Sequence, residues 1–161
     1  MNVINIKSGS TDPIARILSN LSFAPFSYGG YNFYCVESAL QGIKFADKKD
    51  RQLVFSMNGL NALKAGRKIT RQVKDGEMRY VYWGNKKFLY NSKDHRLLIA
   101  AFIAEKVRQN PEVQNALMST KGTFIYHDAG KEHPKTSLPE KLFIEILLSQ
   151  RKILLKLANL K

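Results

Sequence analysis

The chain has 161 residues, 44% of them hydrophobic, so it can bury one sizeable core but is too short for two full domains. We expect one domain over residues 1–161, acting as a monomer. Lysine and arginine number 26 against 13 acidic residues, a formal charge of +13, which makes a polyanion the first partner to test. Neither a secretion signal nor a long apolar segment is evident, so we expect a cytoplasmic protein without membrane association.

Cysteine and histidine are scarce. The single Cys35 excludes an internal disulfide, and the three histidines show no spacing typical of zinc ligands. We therefore expect no metal and no cofactor. Cys35 follows a cluster of aromatic residues, which favours a small buried hydrophobic residue over a nucleophile.

The first predicted element is a short helix. Thr11-Asp12-Pro13 supplies a capping pair with proline at the first helical position, and the helix runs towards Asn20. A loop from Phe23 to Gly30 follows, and its paired glycines allow a tight turn.

A second helix is predicted from about Tyr34 to Phe45, because apolar residues recur there at helical spacing. At 100° per residue, Glu37, Gln41 and Lys44 fall within an arc of about 60°, beside the apolar stripe. A polar row in that position can line a cleft while its helix stays anchored in the core.

Asn58-Gly59 predicts a short helix that ends near Gly66. Between Thr70 and Asn91 the pattern changes to strands, with turn signals at Asp75-Gly76 and Gly84-Asn85. This pattern indicates two small hairpins or a short meander. The segment from Lys64 to Arg96 holds ten basic residues against three acidic ones. This clustering favours a binding surface, with an ordinary solvated face as the alternative.

The C-terminal half is predicted to be helical. One helix runs from about Lys93 to Gln109, a short one from Asn110-Pro111 to about Met118, and the last begins at a capping box, Ser137 to Glu140. The fold class is therefore α+β, predominantly helical, with a small antiparallel hairpin or meander.

Several short motifs together resemble the NADAR (YbiA-like) family. The similarity covers roughly Leu18 to Leu155, and its specificity lies in the shared order of the pieces. They are Leu18-Ser19-Asn20, Phe23-Ala24-Pro25-Phe26, Tyr34 to Lys44, Gly66-Arg67-Lys68, Arg108-Gln109-Asn110-Pro111, Leu117 to Thr120, Asp128 and Arg151. The chain departs from the family at Ala129, where relatives usually have tryptophan, and at Ser38, where they have histidine.

The resemblance implies a glycosidase that cleaves N-glycosidic bonds to ribose, in riboflavin-pathway metabolites or in guanine modified with ADP-ribose. It also implies that Glu37, Gln41 and Lys44 form the active-site helix, with Asp128 near the ribose. Cleavage of a ribose C1–N bond needs a carboxylate and a proton donor. Glu37 suits either task, and burial would raise its pKa into a useful range.

Lys44 has three possible roles. A partly desolvated amine could attack C1 of the ribose and form a Schiff base with the opened sugar. Alternatively, the ammonium group could bind phosphate or carboxylate, or form a salt bridge with Glu37.

The remaining candidates are substrate-binding residues, each with a structural alternative. Gln41 would bind a ribose hydroxyl or a base edge unless it is simply exposed. Arg67 and Lys68 suit the diphosphate of ADP-ribose, with a solvated pair as the alternative. Ser19 and Asn20 supply loop contacts or caps, Trp83 stacks a nucleobase or packs on the core, and His127 orients a carboxylate or is structural.

A charge of +13 favours a DNA substrate over a metabolite, because a small-molecule enzyme gains nothing evident from it. The predicted function is removal of ADP-ribose from guanine in DNA, reversing a DNA-modifying toxin in the manner of a phage counter-defence protein. The predicted partner is ADP-ribosylated DNA or another nucleotide that contains ADP-ribose. The alternatives are a glycosidase of ribosylaminopyrimidines and a non-catalytic module that binds nucleic acid or ADP-ribose.

Overall fold

The structure, a computed structural model, describes residues 1–161 and contains seven helices and six short strands. The helices are α1 Pro13–Leu18, α2 Val36–Gly42, α3 Lys48–Phe55, α4 Gly59–Gln72, α5 Lys93–Gln109, α6 Pro111–Ser119 and α7 Glu140–Ala158. The strands are β1 Val3–Asn5, β2 Phe26–Tyr28, β3 Tyr31–Phe33, β4 Tyr80–Trp83, β5 Lys86–Leu89 and β6 Phe124–Tyr126. None of the helices combines the length and the apolar composition needed to cross a membrane.

The predicted α+β class is confirmed, and helices dominate. The strands form three separate two-stranded sheets: antiparallel hairpins β2–β3 and β4–β5, and a parallel pair β1–β6. Only β4–β5 was predicted. The strands of the other two sheets have three residues each, too short to show a period of two.

Helix α5 lies at the centre of the fold and contacts α2, α6, α7 and both hairpins. Its buried face includes Ile99, Phe102 and Ile103, none of which is exposed to solvent. Phe102 contacts an aromatic cluster contributed by the two hairpins and α3, which contains Phe26, Tyr28, Tyr31, Phe33, Phe55 and Trp83. This cluster fixes the hairpins against the helices that carry the candidate site.

Several elements differ from the sequence prediction. Gly66 does not end α4, which continues to Gln72, and the segment before Asn58 contains an unpredicted helix, α3. Asp75-Gly76 does not connect two strands, so the segment contains one hairpin rather than two. The predicted capping box is also absent, since Pro139 occupies the N-cap of α7 and no side chain caps it.

Helix caps allow a direct test of these assignments. Asn58 Oδ1 accepts a hydrogen bond of 2.9 Å from the Asn61 amide at the start of α4, whereas Ser137 makes no such bond to α7. We expect Asn58→Ala to lower the free energy of unfolding by about 1 kcal/mol, and Ser137→Ala to leave it nearly unchanged. Urea denaturation of both variants measures this, and a larger loss for Ser137→Ala would contradict the observed cap.

Candidate active site

Helix α2 carries Glu37 and Gln41 of the predicted polar row and packs against α3, α4 and α5. It ends at Gly42 rather than near Phe45, so Lys44 lies in the turn that follows it. Val36, Ala39 and Ile43 are fully buried on its core side. Glycines allow close approach on two other sides, because a Cβ at Gly42 would overlap the Phe55 ring of α3 and one at Gly66 would overlap the Gln41 side chain. The polar row is therefore held in a narrow space between helices.

Glu37 and Gln41 form a buried pair, 9% and 7% exposed. Gln41 Nε2 donates a hydrogen bond of 2.6 Å to Glu37 Oε1. Burial raises the pKa of Glu37, while the bond from Gln41 and the positive charges of Lys44 and Arg67 partly oppose that rise. Gln41 Oε1 is buried against Gly66 of α4 without a hydrogen-bond partner in the protein.

Lys44 lies one helical turn beyond Gln41 and is half-buried. Its Nζ donates a bond of 3.3 Å to Thr70 Oγ1 on α4 and lies within ion-pair distance of no carboxylate, so the proposed salt bridge to Glu37 is not formed. The pKa of Lys44 is lowered to about 8, chiefly by burial and then by the positive charge of Arg79, while Glu37 opposes the shift and Arg67 adds to it. A minor fraction of free amine is therefore present near neutral pH.

Two arginines flank Lys44. Arg67 follows Gly66, the α4 residue that Gln41 contacts, and its positive charge acts on both Glu37 and Lys44. Arg79 precedes β4, and its guanidinium stacks 3.8 Å above the Tyr90 ring, with Nη2 3.5 Å from Thr70 Oγ1. The region around the buried carboxylate is therefore strongly positive and suits a phosphorylated ligand.

His95 closes this region from α5 and is 1% exposed. Its Nδ1 accepts a bond of 3.0 Å from the Asn91 amide, and its ring lies 4.9 Å from that of Tyr90. Burial lowers the pKa of His95 to about 4, and the charges of Lys44, Arg96 and Arg79 contribute. The imidazole is therefore neutral at physiological pH.

The Ser19–Asn20 loop adjoins the first turn of α2. The Glu37 amide donates a bond of 2.9 Å to Asn20 O, and Asn20 Oδ1 is buried without a partner. Ser19 caps the C-terminus of α1, which is the structural alternative to a substrate contact. The buried Lys106 Nζ donates to Ser19 O at 2.8 Å, and desolvation lowers the pKa of Lys106 to about 7.

Lys68 and Trp83 are placed differently from Arg67. Lys68 lines a separate cavity between α3 and α4, so the predicted Arg67-Lys68 pair divides between two sides of α4. Trp83 stacks on Tyr28 with ring centroids 5.5 Å apart and contacts Phe33 and Phe102. The main contacts of Trp83 are therefore with the core, as the structural alternative predicted. The side chain is partly exposed, and its stacking on a nucleobase stays a prediction.

Asp128 and His127 line a cavity of about 540 Å³ between β6 and α7, to which neither α2 nor α4 contributes. Asp128 Oδ1 accepts the Gly130 amide at 2.9 Å, and the Asp128 backbone is bound to the Asn5 side chain. His127 Nδ1 bonds to Ile6 O. No hydrogen bond connects either residue to Glu37, so the catalytic role that the resemblance implies for Asp128 stays a prediction.

Comparison with known proteins gives the family and the fold. The family described as Bacteriophage protein GP30.3 matches residues 13–152. The chain belongs to this family. It is also 30% identical over 149 residues, 91% of the chain and 95% of the relative, to a 17.1 kDa protein in the Gp30-rIII intergenic region of Enterobacteria phage T4.

The fold of this GP30.3 family member is that of YbiA. The NMR structure of the E. coli protein YbiA matches with a TM-score of 0.63 over 99% of this chain and 88% of that protein, at 18% sequence identity. The YbiA-like fold predicted from the sequence motifs is therefore confirmed. At this identity the likeness establishes the fold alone.

Three residues of the GP30.3 site were not predicted: Arg79, His95 and Lys106. Lys106 did leave a signal, because a cation on the buried face of α5 among Ile103 and Val107 needs a hydrogen-bond partner. Arg79 and His95 lie in different elements and meet Lys44 only through tertiary packing. A single sequence gives no distance between them.

The contact between Gly66 and Gln41 can be tested by a double-mutant cycle. A methyl group at residue 66 would overlap Gln41 Oε1, so we expect Gly66→Ala to lower the free energy of unfolding by about 1–3 kcal/mol despite the better helix propensity of alanine. In a Gln41→Ala background we expect that loss to shrink by about 1 kcal/mol or more. Guanidinium denaturation measures all four proteins, and equal losses in both backgrounds would contradict the contact.

Proposed function

We propose that this protein is an N-glycosidase that removes ADP-ribose from guanine in DNA by cleaving the ribose C1–N bond. The observation that carries the proposal is the buried Glu37 carboxyl, held by Gln41 and placed among cationic groups. The YbiA-like fold and the matching NADAR motifs support glycosidase chemistry. The choice of DNA and of guanine rests on charge.

Glu37 serves as the proton donor in this mechanism. Burial raises its pKa, which favours the protonated form that a proton donor needs. As the C1–N bond breaks, the bonding electron pair goes to the guanine nitrogen, which takes the proton from Glu37. The carboxylate that remains stabilises positive charge on the ribose. Gln41 orients this carboxyl through its 2.6 Å bond.

Lys44 serves as the nucleophile. As guanine leaves, the free amine of Lys44 bonds to C1 of the ribose; one amine proton then passes to O4 as the C1–O4 bond opens, which gives a protonated Schiff base. Water adds to C1, one of its protons passes to Nζ, and the C1–Nζ bond breaks, which restores the amine and releases ADP-ribose. The Ser19–Asn20 loop beside Glu37 suits the ribose hydroxyls, and Arg67 and Arg79 suit the diphosphate.

DNA is favoured as the carrier of the modified base because the acidic residues are too few to neutralise the basic ones. The chain has 26 lysines and arginines and 13 acidic residues. Its ion pair joins Arg108 and Glu105, on the surface of α5. Basic residues of α4 and the β4–β5 segment surround the site, where they can attract phosphates. Membership in a bacteriophage family fits reversal of a host toxin that modifies DNA.

Removal of the Glu37 carboxyl tests the proposal. With ADP-ribosylated guanosine and a modified oligonucleotide as substrates, we expect Glu37→Gln to lower kcat by about a thousandfold on both, because the proton donor is lost. Release of free ADP-ribose, measured by chromatography, is the assay. The exposed Glu112→Gln on α6 is the matched control and should retain full activity.

The substrate panel also separates the alternatives. Hydrolysis of a ribosylaminopyrimidine with no release from either modified guanine would overturn the DNA proposal in favour of a metabolite glycosidase. Salt-sensitive DNA binding without glycosidase activity, unchanged in Glu37→Gln, would instead indicate a nucleic-acid-binding module. Calorimetry that detects ADP-ribose binding without any turnover would indicate a sensor.

The role of Lys44 is tested by pH and by trapping. Because the pKa of Lys44 is lowered to about 8, its reactive amine form increases as pH rises through 8 and levels off about one pH unit above that pKa. If Lys44 is the nucleophile, we expect the yield of substrate trapped by borohydride in single-turnover reactions to follow this rise. A lysine that only binds phosphate predicts weaker substrate binding above pH 8 and no trapped adduct.

Lys44→Arg provides the matched variant for the trapping experiment. Arginine keeps the positive charge and the hydrogen-bonding capacity but has no available nucleophilic amine. We expect mass spectrometry to find the adduct on Lys44 in the wild type and none in Lys44→Arg. An adduct of equal yield in this variant would exclude Lys44 as the nucleophile.

A further inference from the structure

A second cationic cavity lies between the start of α3 and the turn of the β4–β5 hairpin. Its volume is about 350 Å³. The lining contains no acidic side chain and includes Lys48, Arg51, Tyr82, Asn85, Lys86 and Lys87. This cavity shares no residue with the candidate active site, so its positive charge needs a separate explanation.

No carboxylate neutralises these cations. The buried Arg51 guanidinium donates to the carbonyl oxygens of Phe45 and Ala46 at 3.0 Å and to that of Gly84 at 3.3 Å. Those bonds fix its charge under the cavity. Asp47 influences Arg51, but its Oδ1 accepts the first amides of α3 and the residue does not line the cavity.

The lysines extend the same charge to the surface. Lys48 Nζ donates a bond of 2.6 Å to the neutral Asn85 Oδ1, and Lys87 Nζ lies 4.3 Å above the Tyr80 ring. Lys48, Lys86 and Lys87 are all exposed. An anion that enters the cavity therefore meets three lysine side chains beside a fixed guanidinium, an arrangement that suits phosphate.

The cavity adjoins the proposed active site. Ala46 follows Lys44 by two residues, which limits the distance between their Cα atoms to about 7 Å. The Tyr82 amide donates a bond of 2.7 Å to Ile43 O, so the hairpin is fastened to the segment that follows α2. A nucleic-acid strand whose modified base lies at Glu37 can reach this cavity with the phosphate of a neighbouring nucleotide.

We propose that this cavity binds a backbone phosphate of an unpaired DNA strand beside the nucleotide being processed. The assignment rests on the proposed function for the choice of DNA. It separates two phosphate sites: Arg67 and Arg79 hold the diphosphate of ADP-ribose, and Lys48, Lys86 and Lys87 hold the strand. An unpaired strand is favoured because its backbone can bend into a cavity at a hairpin turn.

The test compares two triple variants with the same change in net charge. Lys48→Ala/Lys86→Ala/Lys87→Ala removes the exposed cations of the cavity. The control Lys121→Ala/Lys152→Ala/Lys156→Ala removes three exposed lysines on or near α7 that line none of the cavities described above. Circular dichroism and thermal melting confirm that both variants fold.

Fluorescence anisotropy with a labelled oligothymidylate, repeated over a range of salt concentrations, gives the affinity for the strand. We expect the cavity variant to bind about tenfold more weakly than the wild type, with a log–log salt dependence shallower by about 2. The α7 variant should change little. Calorimetry with free ADP-ribose should give the wild-type affinity for both variants.

Equal weakening of oligonucleotide binding by the two variants would overturn the proposal, because overall charge would then explain it. A parallel loss of ADP-ribose affinity in the cavity variant would also overturn it, by assigning the cavity to the diphosphate. Absence of oligonucleotide binding by the wild type would also overturn the proposal. Failure of the proposed function looks different: cavity-dependent strand binding persists while no ADP-ribose is released from modified guanosine.

Discussion

Close packing of α2 against α4 is the constraint on which the candidate site depends. Because Gly66 has no side chain, the Gln41 amide fits between the two helices and reaches Glu37. Gly42 allows a similar approach of α3 through Phe55. The resulting burial changes the pKa of both Glu37 and Lys44. A wider spacing would admit water and return both groups to ordinary behaviour.

The charges of the site are coupled across three elements. Arg79, from the β4–β5 hairpin, lowers the pKa of Lys44 and of His95, while Glu37 raises that of Lys44. The pKa of Lys44, which follows α2, therefore depends on the position of the β4–β5 hairpin. Trp83 and its aromatic neighbours fix that position, so the aromatic cluster contributes to the electrostatics of a site it does not touch.

Local signals predicted the long helices well. Ser92 caps α5 and Pro111 follows it, so the observed bounds are those expected. Gly66 misled because glycine commonly ends helices, yet here its missing Cβ serves a contact with another helix. The Glu37–Gln41–Lys44 row was found because its residues are close in sequence at helical spacing, although Lys44 lies in the turn after α2. The neighbouring residues Arg79 and His95 were not predicted, because only tertiary packing brings them close to this row.

The parallel pairing of β1 with β6 joins Ile4 to Ile125 and so closes a loop of more than a hundred residues. Loop closure of this length is entropically costly, and contacts of such separation slow folding. On the ribosome, β1 must wait for β6, whereas all the helices around Glu37 have by then been synthesised. The candidate site can therefore assemble before the N-terminal strand docks, because the contacts around Glu37 do not wait for that non-local pairing.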